Sequence, residues 1–365
     1  MSFDPARVAN PGDETPLPLG DGCGYRDRMD TIRWGILATG KIAHSFAADL
    51  ALLPDARLEA VGSRRKESAE EFAATFAPPD GPPARVHGSY EELAADSEVD
   101  VVYVASPHGL HHEQVRMLLE ADKPVLCEKA ITLNAAQAGD LVALARERDL
   151  FLMEAMWMAC HPLVRHLRER ARAGDFGRLR QLVADLGWVV DKPPTDRMFD
   201  PELGGGALLD MGIYPLTLAH LFLGEPAELT AIAHLAETKI DLNVVLAARY
   251  DDGAVAAMTT SMTSNSPRTA TIASDTGRLD FADPFHHPSY VMWTRYDGST
   301  PQAPERIESP EPVIGQGYGN EAAEVMRCLR AGEKESPMVP LDQTLTLMRQ
   351  MDAVRAQLGV VYPGE

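Results

Sequence analysis

The chain has 365 residues, 45% of them apolar and 24% charged, and a formal net charge of −20. That length implies two domains of about 150 residues each, and the acidic balance leaves no general attraction for phosphate backbones or anionic lipid, so nucleic-acid and membrane partners are disfavoured. Cys23, Cys127, Cys160 and Cys328 are too far apart for a zinc knuckle or a redox dithiol, which fits a reducing, cytoplasmic location.

Residues 1–30 contain Pro5, Pro11, Pro16 and Pro18 among glycines and acids. They lack the apolar segment of a secretory signal and read as a disordered arm, with Met29 close to the start of the folded unit. No apolar run reaches the roughly 18 residues needed to span a bilayer. From Ile32 to Met156 strands and helices alternate. Strands are predicted at Ile32 to Ala38, Arg57 to Ser63, Val99 to Ser106, Pro124 to Glu128 and Phe151 to Met156. The run Val101-Val102-Tyr103-Val104-Ala105 suits a central parallel strand covered on both faces. Asn134 is placed to cap a helix whose apolar positions Ala138, Leu141, Val142 and Ala145 recur at helical spacing.

After Trp157 the pattern changes. A helix from Pro162 to Ala173 is followed by a strand at Leu179 to Trp188. Strands then succeed one another at Leu229 to Ala236, Asn243 to Tyr250, Ala254 to Met262, Thr269 to Ser274, Arg278 to Phe281 and Tyr290 to Tyr296. Asp251-Asp252-Gly253 and Asp275-Thr276-Gly277 mark turns between them. Two closing helices, Asn320 to Ala331 and Asp342 to Leu358, end the chain, the second with Gly359 as its C-cap.

The first strand runs into Ala38-Thr39-Gly40-Lys41-Ile42-Ala43. Ala38-x-Gly40-x-x-Ala43 approximates a dinucleotide fingerprint, in which small residues bring the backbone and a helix N-terminus up to a pyrophosphate. The expected fold is therefore α/β. It has an N-terminal Rossmann doubly wound parallel sheet (31–156) and a C-terminal α+β domain (157–365) on a large, mostly antiparallel open sheet, with the closing helices packed back toward the first domain. The second strand ends at Ser63-Arg64-Arg65-Lys66 instead of the acidic residue that binds an adenine ribose. Cations at a helix start oppose the macrodipole and call for an anion, so NADP is expected over NAD. Ser106-Pro107-His108 with His111, and Glu128-Lys129, end at the same edge of the sheet, where ligands of such sheets lie. Lys129 stands between an apolar strand and a turn, where a charge is costly unless it meets a partner.

The combination of Gly35-x-x-Ala38-x-Gly40-x-Ile42-Ala43, Ser106-Pro107-His108-x-x-His111, Glu128-Lys129 and Gly204-Gly205-Gly206-x-x-x-Asp210-x-Gly212-x-Tyr214 resembles the glucose-fructose oxidoreductase/inositol dehydrogenase/MocA (Gfo/Idh/MocA) family. The resemblance runs from residue 31 to the end of the chain. Trp157 with Tyr214 is most similar to its branch of dimeric dihydrodiol dehydrogenases and NADP-dependent xylose dehydrogenases. The family's usual Glu-Lys-Pro stands here as Glu128-Lys129-Ala130.

The resemblance implies catalytic work for Lys129, Asp210 and Tyr214 and a substrate contact for Trp157. It implies cofactor contacts for Ala38, Thr39, Gly40, Lys41, Ile42, Ser63, Arg64, Ser106, Pro107, His108, His111, Glu128 and Lys129. Hydride transfer from an alcohol needs an acid/base beside the carbinol. An ammonium near a phenol lowers its pKa, so Tyr214 is the expected base, with Lys129 its partner or itself the proton carrier, and Asp210 orienting both. The expected activity is NADP-dependent oxidation of a secondary alcohol of a sugar, cyclitol or cyclic trans-diol, without a metal. His286-His287 is the nearest thing to a ligand cluster, and adjacent strand residues face opposite ways. The alternatives are an enzyme that uses a tightly held NAD(P) transiently for glycoside cleavage or elimination, and a non-enzymatic dinucleotide sensor. The open sheet offers a face for a second copy, so a homo-oligomer, most simply a dimer, is expected.

Overall fold

The computed structural model describes residues 31–365; the expected N-terminal arm, with Cys23 and Met29, lies outside the described residues. The first sheet consists of β1 (Ile32–Leu37), β2 (Ala56–Gly62), β3 (Arg85–His87), β4 (Val101–Val104), β5 (Val125–Glu128) and β6 (Leu152–Ala155). Every pairing in it is parallel, in the order β3-β2-β1-β4-β5-β6. The order reverses at β1, and a crevice opens outside the strand ends at that point. All four residues of β4 are buried, as befits a strand covered by helices on both faces.

Five helices connect these strands: α1 (Lys41–Leu50), α2 (Lys66–Thr75), α3 (Tyr90–Ala94), α4 (His108–Glu120) and α5 (Ala135–Glu147). Asn134 caps α5 by accepting from the Gln137 N–H at 2.9 Å, and Ala138, Leu141, Val142 and Ala145 form its buried stripe. The three-residue β3 is absent from the sequence reading because it is too short to show a period.

The second half begins with α6 (Trp157–Cys160) and α7 (Pro162–Arg172). Its sheet holds β7 (Leu179–Gly187), β8 (Glu228–Leu235), β9 (Asp241–Arg249), β10 (Val255–Ser261), β11 (Ala270–Ser274), β12 (Gly277–Phe281), β13 (Val291–Asp297), β14 (Thr300–Pro301) and β15 (Glu305–Ile307). The order is β14-β13-β12-β11-β7-β10-β9-β8, with β15 beside β13. Among the described strands of this second sheet, only β7 and β10 pair in parallel. Burial alternates residue by residue along β9 and β10, because one face packs on helices and the other stays open.

The covered face lies against α8 (Ile213–Leu223), which follows a π-helical turn at Leu208–Gly212. The closing helices α9 (Tyr318–Ala331) and α10 (Leu341–Leu358) pack on α1 and α5 respectively, and Gly359 ends α10 in the left-handed conformation at φ 71°. One expectation needs correcting. Pro201–Leu223 is long and apolar enough by composition to cross a membrane, but 83% of that window is buried inside the protein. It is apolar on all sides because it is enclosed.

Candidate active site

The cofactor side of the crevice begins at the β1–α1 turn. Ala38 adopts φ 73°, the left-handed conformation that explains why such a turn favours glycine. Gly40 precedes α1, and a Cβ built there would meet only the Ala105 carbonyl at 4.0 Å, so the backbone in front of it is open. The first N–H groups of α1 have no intrahelical acceptors and point at a cavity of about 470 Å³. Gly40, Lys41, Ile42, Ser106, Pro107, His108, Glu128 and Lys129 all line it. An open helix N-terminus on a cavity of this size fits a dinucleotide pyrophosphate.

Ala38, Thr39, Ser63, Arg64 and His111 are not among the residues lining this cavity. Ser63 and Arg64 lie at the end of β2, where the Arg64 charge acts on the neighbouring Tyr90 phenol, opposing the rise that burial gives its pKa, and the Ser63 hydroxyl accepts from the Arg65 N–H at 3.4 Å. An exposed guanidinium held beside a hydroxyl, with no carboxylate at that strand end, fits a 2′-phosphate. His111 is fully buried, its Nδ1 3.0 Å from the Ala130 carbonyl and its Nε2 2.7 Å from that of Ser106. Burial holds its pKa down at about 4. The neutral ring donates to one of these carbonyls, so His111 fastens two strand-end loops together and does not reach into the cavity. His108 is likewise lowered, to about 3, by burial; its ring lies 3.0 Å from the Lys129 carbonyl and 3.2 Å from that of Gly204.

Lys129 follows β5 directly. Its peptide bond to Ala130 is cis, and the next N–H, of Ile131, donates to Glu154 at 3.1 Å. The ammonium donates to the main-chain carbonyl of Asp210 at 2.8 Å and lies 3.6 Å from its carboxylate. Asp210 sits in the π-helical turn and Tyr214 just beyond it in α8. Pro215 is the third residue of α8, which continues without a break from the π-helical turn, so its missing N–H leaves a main-chain carbonyl of that turn without a helical donor.

The glycines ahead of Asp210 have a packing role. A Cβ at Gly204 would come within 2.8 Å of the His108 Cβ, and one at Gly206 within 2.6 Å of the Asp241 carboxylate. Asp241 in turn accepts from the Leu208 N–H at 2.6 Å, which fixes the start of the π-helical turn.

Burial pushes the Asp210 carboxyl up, but Lys129 and Arg197 outweigh it and hold the pKa at about 2. For Tyr214 the expectation is reversed. Burial, with the Glu128 carboxyl nearby, pushes the phenol well above its ordinary value, although Lys129 lies 5.0 Å from the ring centre. Its oxygen accepts from the Trp157 indole N–H at 2.7 Å. Glu128, itself raised by burial against the opposing pull of Lys129, accepts from the Tyr103 hydroxyl.

Lys129, Asp210, Tyr214 and Trp157 also border a second cavity of about 500 Å³. The two cavities share this wall, so a group in one meets a group in the other at Lys129 and Tyr214. The outer cavity adds residues not singled out as substrate contacts from sequence: His161, Trp188, His286, His287, Gln316 and Tyr318. Trp157 packs against Tyr318 and His287, with ring centres 4.7 and 5.1 Å away. Arg197, from a loop whose side chains the sequence did not place, reaches the Asp210 carboxylate at 3.5 Å. Aromatic content around 286–290 and 313–318 is the only sequence signal for this wall. Among the described residues no group of three or more His, Cys, Asp or Glu could hold a metal ion.

Residues 32–156 match the family model of an oxidoreductase family with an NAD-binding Rossmann fold, and residues 164–280 match a GFO/IDH/MocA C-terminal domain. A trans-1,2-dihydrobenzene-1,2-diol dehydrogenase of Mus musculus is 36% identical over 344 residues, spanning 91% of this chain and 98% of its own. A D-xylose 1-dehydrogenase (NADP(+)) of Hypocrea jecorina is 36% identical over 368 residues, spanning 91% and 93%. Among solved structures, the 3-ketoreductase KijD10 of Actinomadura kijaniata in complex with NADP and TDP-benzene superimposes with a TM-score of 0.78 at 29% identity, over 90% of this chain and 98% of its own. The nucleotide-fitting first sheet, the paired Lys129 and Asp210 at its mouth and these matches agree: the chain belongs to the Gfo/Idh/MocA oxidoreductase family.

Proposed function

We propose that the protein transfers a hydride between NADP and a secondary alcohol or its ketone on a neutral sugar, cyclitol or cyclic trans-diol. The observation that carries this is the shared wall: Lys129, Asp210 and Tyr214 stand where a cavity at a helix N-terminus meets an aromatic one. The NADP-dependent relative and the NADP complex of the solved neighbour support the cofactor. When bound, NADP supplies the hydride acceptor at its nicotinamide.

The chain's own residues handle the proton and the orientation. Lys129 is held by the Asp210 carbonyl, and its remaining protons are free for the substrate oxygen. Tyr214 accepts one hydrogen bond from Trp157, which leaves its own O–H to donate. With its pKa raised, Tyr214 is a phenol at neutral pH, suited to protonate the oxygen formed on ketone reduction; alcohol oxidation then quickens as pH rises. Lys129 and Arg197 share the single carboxylate of Asp210. Burial lowers the pKa of His161 to about 4, and those of His286 and His287 below the ordinary imidazole value. Beyond the Lys129–Asp210 pair, the outer cavity offers aromatic faces and neutral imidazoles, which suits an uncharged ring.

The free thiols of Cys127, Cys160 and Cys328 suit a reducing cytosol. The exposed sheet face, with Val183, Ile232, Val245 and Val255, suits a homodimer. The functional test is cofactor reduction by purified protein with aldoses, inositols and trans-cyclohexane-1,2-diol, using NADP and NAD in parallel. The expected result is turnover of at least one of these with NADP preferred; absence of reduction with every compound and both cofactors overturns the proposal.

A further inference from the structure

His286 and His287 follow β12, in a segment the catalytic account leaves without a task. The His286 ring lies over Tyr214, with centres 4.6 Å apart at 39°, and meets Trp157, Phe285 and His287 edge-on at 5.6, 5.6 and 4.8 Å. Three of these neighbours, Tyr214, Trp157 and His287, themselves line the outer cavity with His286. The packing fixes the plane of the ring and leaves its two nitrogens in different surroundings. Nδ1 is shut from solvent and has no hydrogen-bond partner among the described residues. Nε2 has none among them either, but it is not one of the atoms shut from solvent.

A buried orphan N–H is rarer than a buried acceptor with a spare lone pair. The proton is therefore assigned to Nε2, where the cavity can satisfy it. Burial, with His287 and Lys129 close by, keeps the ring neutral. The side chain is thus a fixed, uncharged donor on the catalytic wall, next to the phenol that handles the reacting oxygen.

We propose that His286 is a specificity-determining residue, donating its Nε2–H to a second hydroxyl on the carbon next to the one oxidised, so that the site prefers vicinal diols to simple alcohols. A ring whose reacting oxygen meets Tyr214 and Lys129 presents its neighbouring oxygen to the ring stacked on Tyr214. Without that oxygen, the His286 Nε2–H is left unpaired on binding. A site built to bond a hydroxyl discriminates strongly against the analogue that lacks it. The inference rests on the dehydrogenase reading above.

The test compares kcat/KM for trans-cyclohexane-1,2-diol against cyclohexanol, and for D-xylose against 2-deoxy-D-xylose, in the wild type, His286→Phe and His286→Gln. NADPH affinity is measured for each protein. Phe keeps the stacking on Tyr214 and removes the donor, while Gln keeps a donor. His286→Phe is expected to lose about 10- to 100-fold on the diol, to change little on the analogue lacking the hydroxyl, and to bind NADPH as before. His286→Gln is expected to retain part of the preference. Equal losses on both members of a pair, or an unchanged preference in His286→Phe, overturn the inference. If His286→Phe does not fold, complete loss of preference in His286→Gln does the same. Wild-type turnover without preference between the members overturns it while leaving the dehydrogenase reading intact. Failure of the wild type on every compound overturns both.

Discussion

Ala38 takes a left-handed backbone conformation without being glycine, at φ 73°. An L-residue there costs about 1–2 kcal/mol, part of which glycine returns through its greater freedom when unfolded. Ala38→Gly is accordingly expected to raise the melting temperature by about 2 °C without weakening NADPH binding; a lowered melting temperature would show that the conformation carries no strain. The residue was legible in the sequence as a departure from a glycine pattern, though not as a strained one, because a small side chain reads the same in either conformation. Lys129 was legible as a charge between an apolar strand and a turn, and Asp210 and Tyr214 through the family resemblance carried by their spacing behind Gly204-Gly205-Gly206. His286, Gln316 and Tyr318 were not, since they reach the site through loops whose course depends on packing between the two halves. The pKa of Tyr214 runs against the expectation from Lys129 for a related reason: the burial that raises it comes from surrounding elements.

The strands and helices of the first half follow from their periods. The loop that closes the site does not. Asp49, near the end of α1, is buried, and one of its carboxylate oxygens accepts from the N–H groups of Gln316, Gly317, Tyr318 and Gly319 at 2.8, 3.1, 3.0 and 3.3 Å. The helix that faces the cofactor thereby shapes the segment that carries Gln316 and Tyr318 into the cavities. Asp49 is not singled out from the sequence, because its partners are main-chain groups some 267 residues away along the chain. Hydrogen bonds to a charged acceptor contribute about 1.5–3 kcal/mol. Asp49→Asn is therefore expected to raise KM for the alcohol about tenfold while NADPH affinity stays near the wild-type value. Steady-state kinetics with equilibrium NADPH binding checks this, and an unchanged KM would mean that the loop holds its shape without Asp49. The π-helical turn that carries Asp210 was likewise invisible, since its extra residue per turn leaves no mark in a segment buried on all sides.

At the scale of the whole molecule, the two halves divide the work. The first sheet ends in the cofactor cavity, and the second sheet lends one face to the core and leaves the other exposed. On that open face Ile232 stands opposite Val245, which pairs with Thr259, and Ala247 pairs with Ala257, which neighbours Val183. A row of this kind spans four strands in a protein with a charge of −20, and it is the surface the proposed dimer would cover. Val245→Glu would bury a carboxylate in that contact. Light scattering should show a dimer for the wild type and a monomer for the variant; a wild-type monomer at micromolar concentration would remove the dimer from the account.

The central claim is that the wall between the two cavities moves a proton while a hydride passes to NADP. It is tested most directly by kcat/KM for NADP reduction, across about pH 7 to 10, in the wild type, Lys129→Met and Tyr214→Phe with an alcohol the wild type turns over. The account predicts a wild-type rate that climbs with pH. Both variants should fall by about 10²–10⁴-fold, with NADPH binding preserved and the climb lost in Tyr214→Phe. Variants that turn over like the wild type, with the same pH dependence, would contradict it.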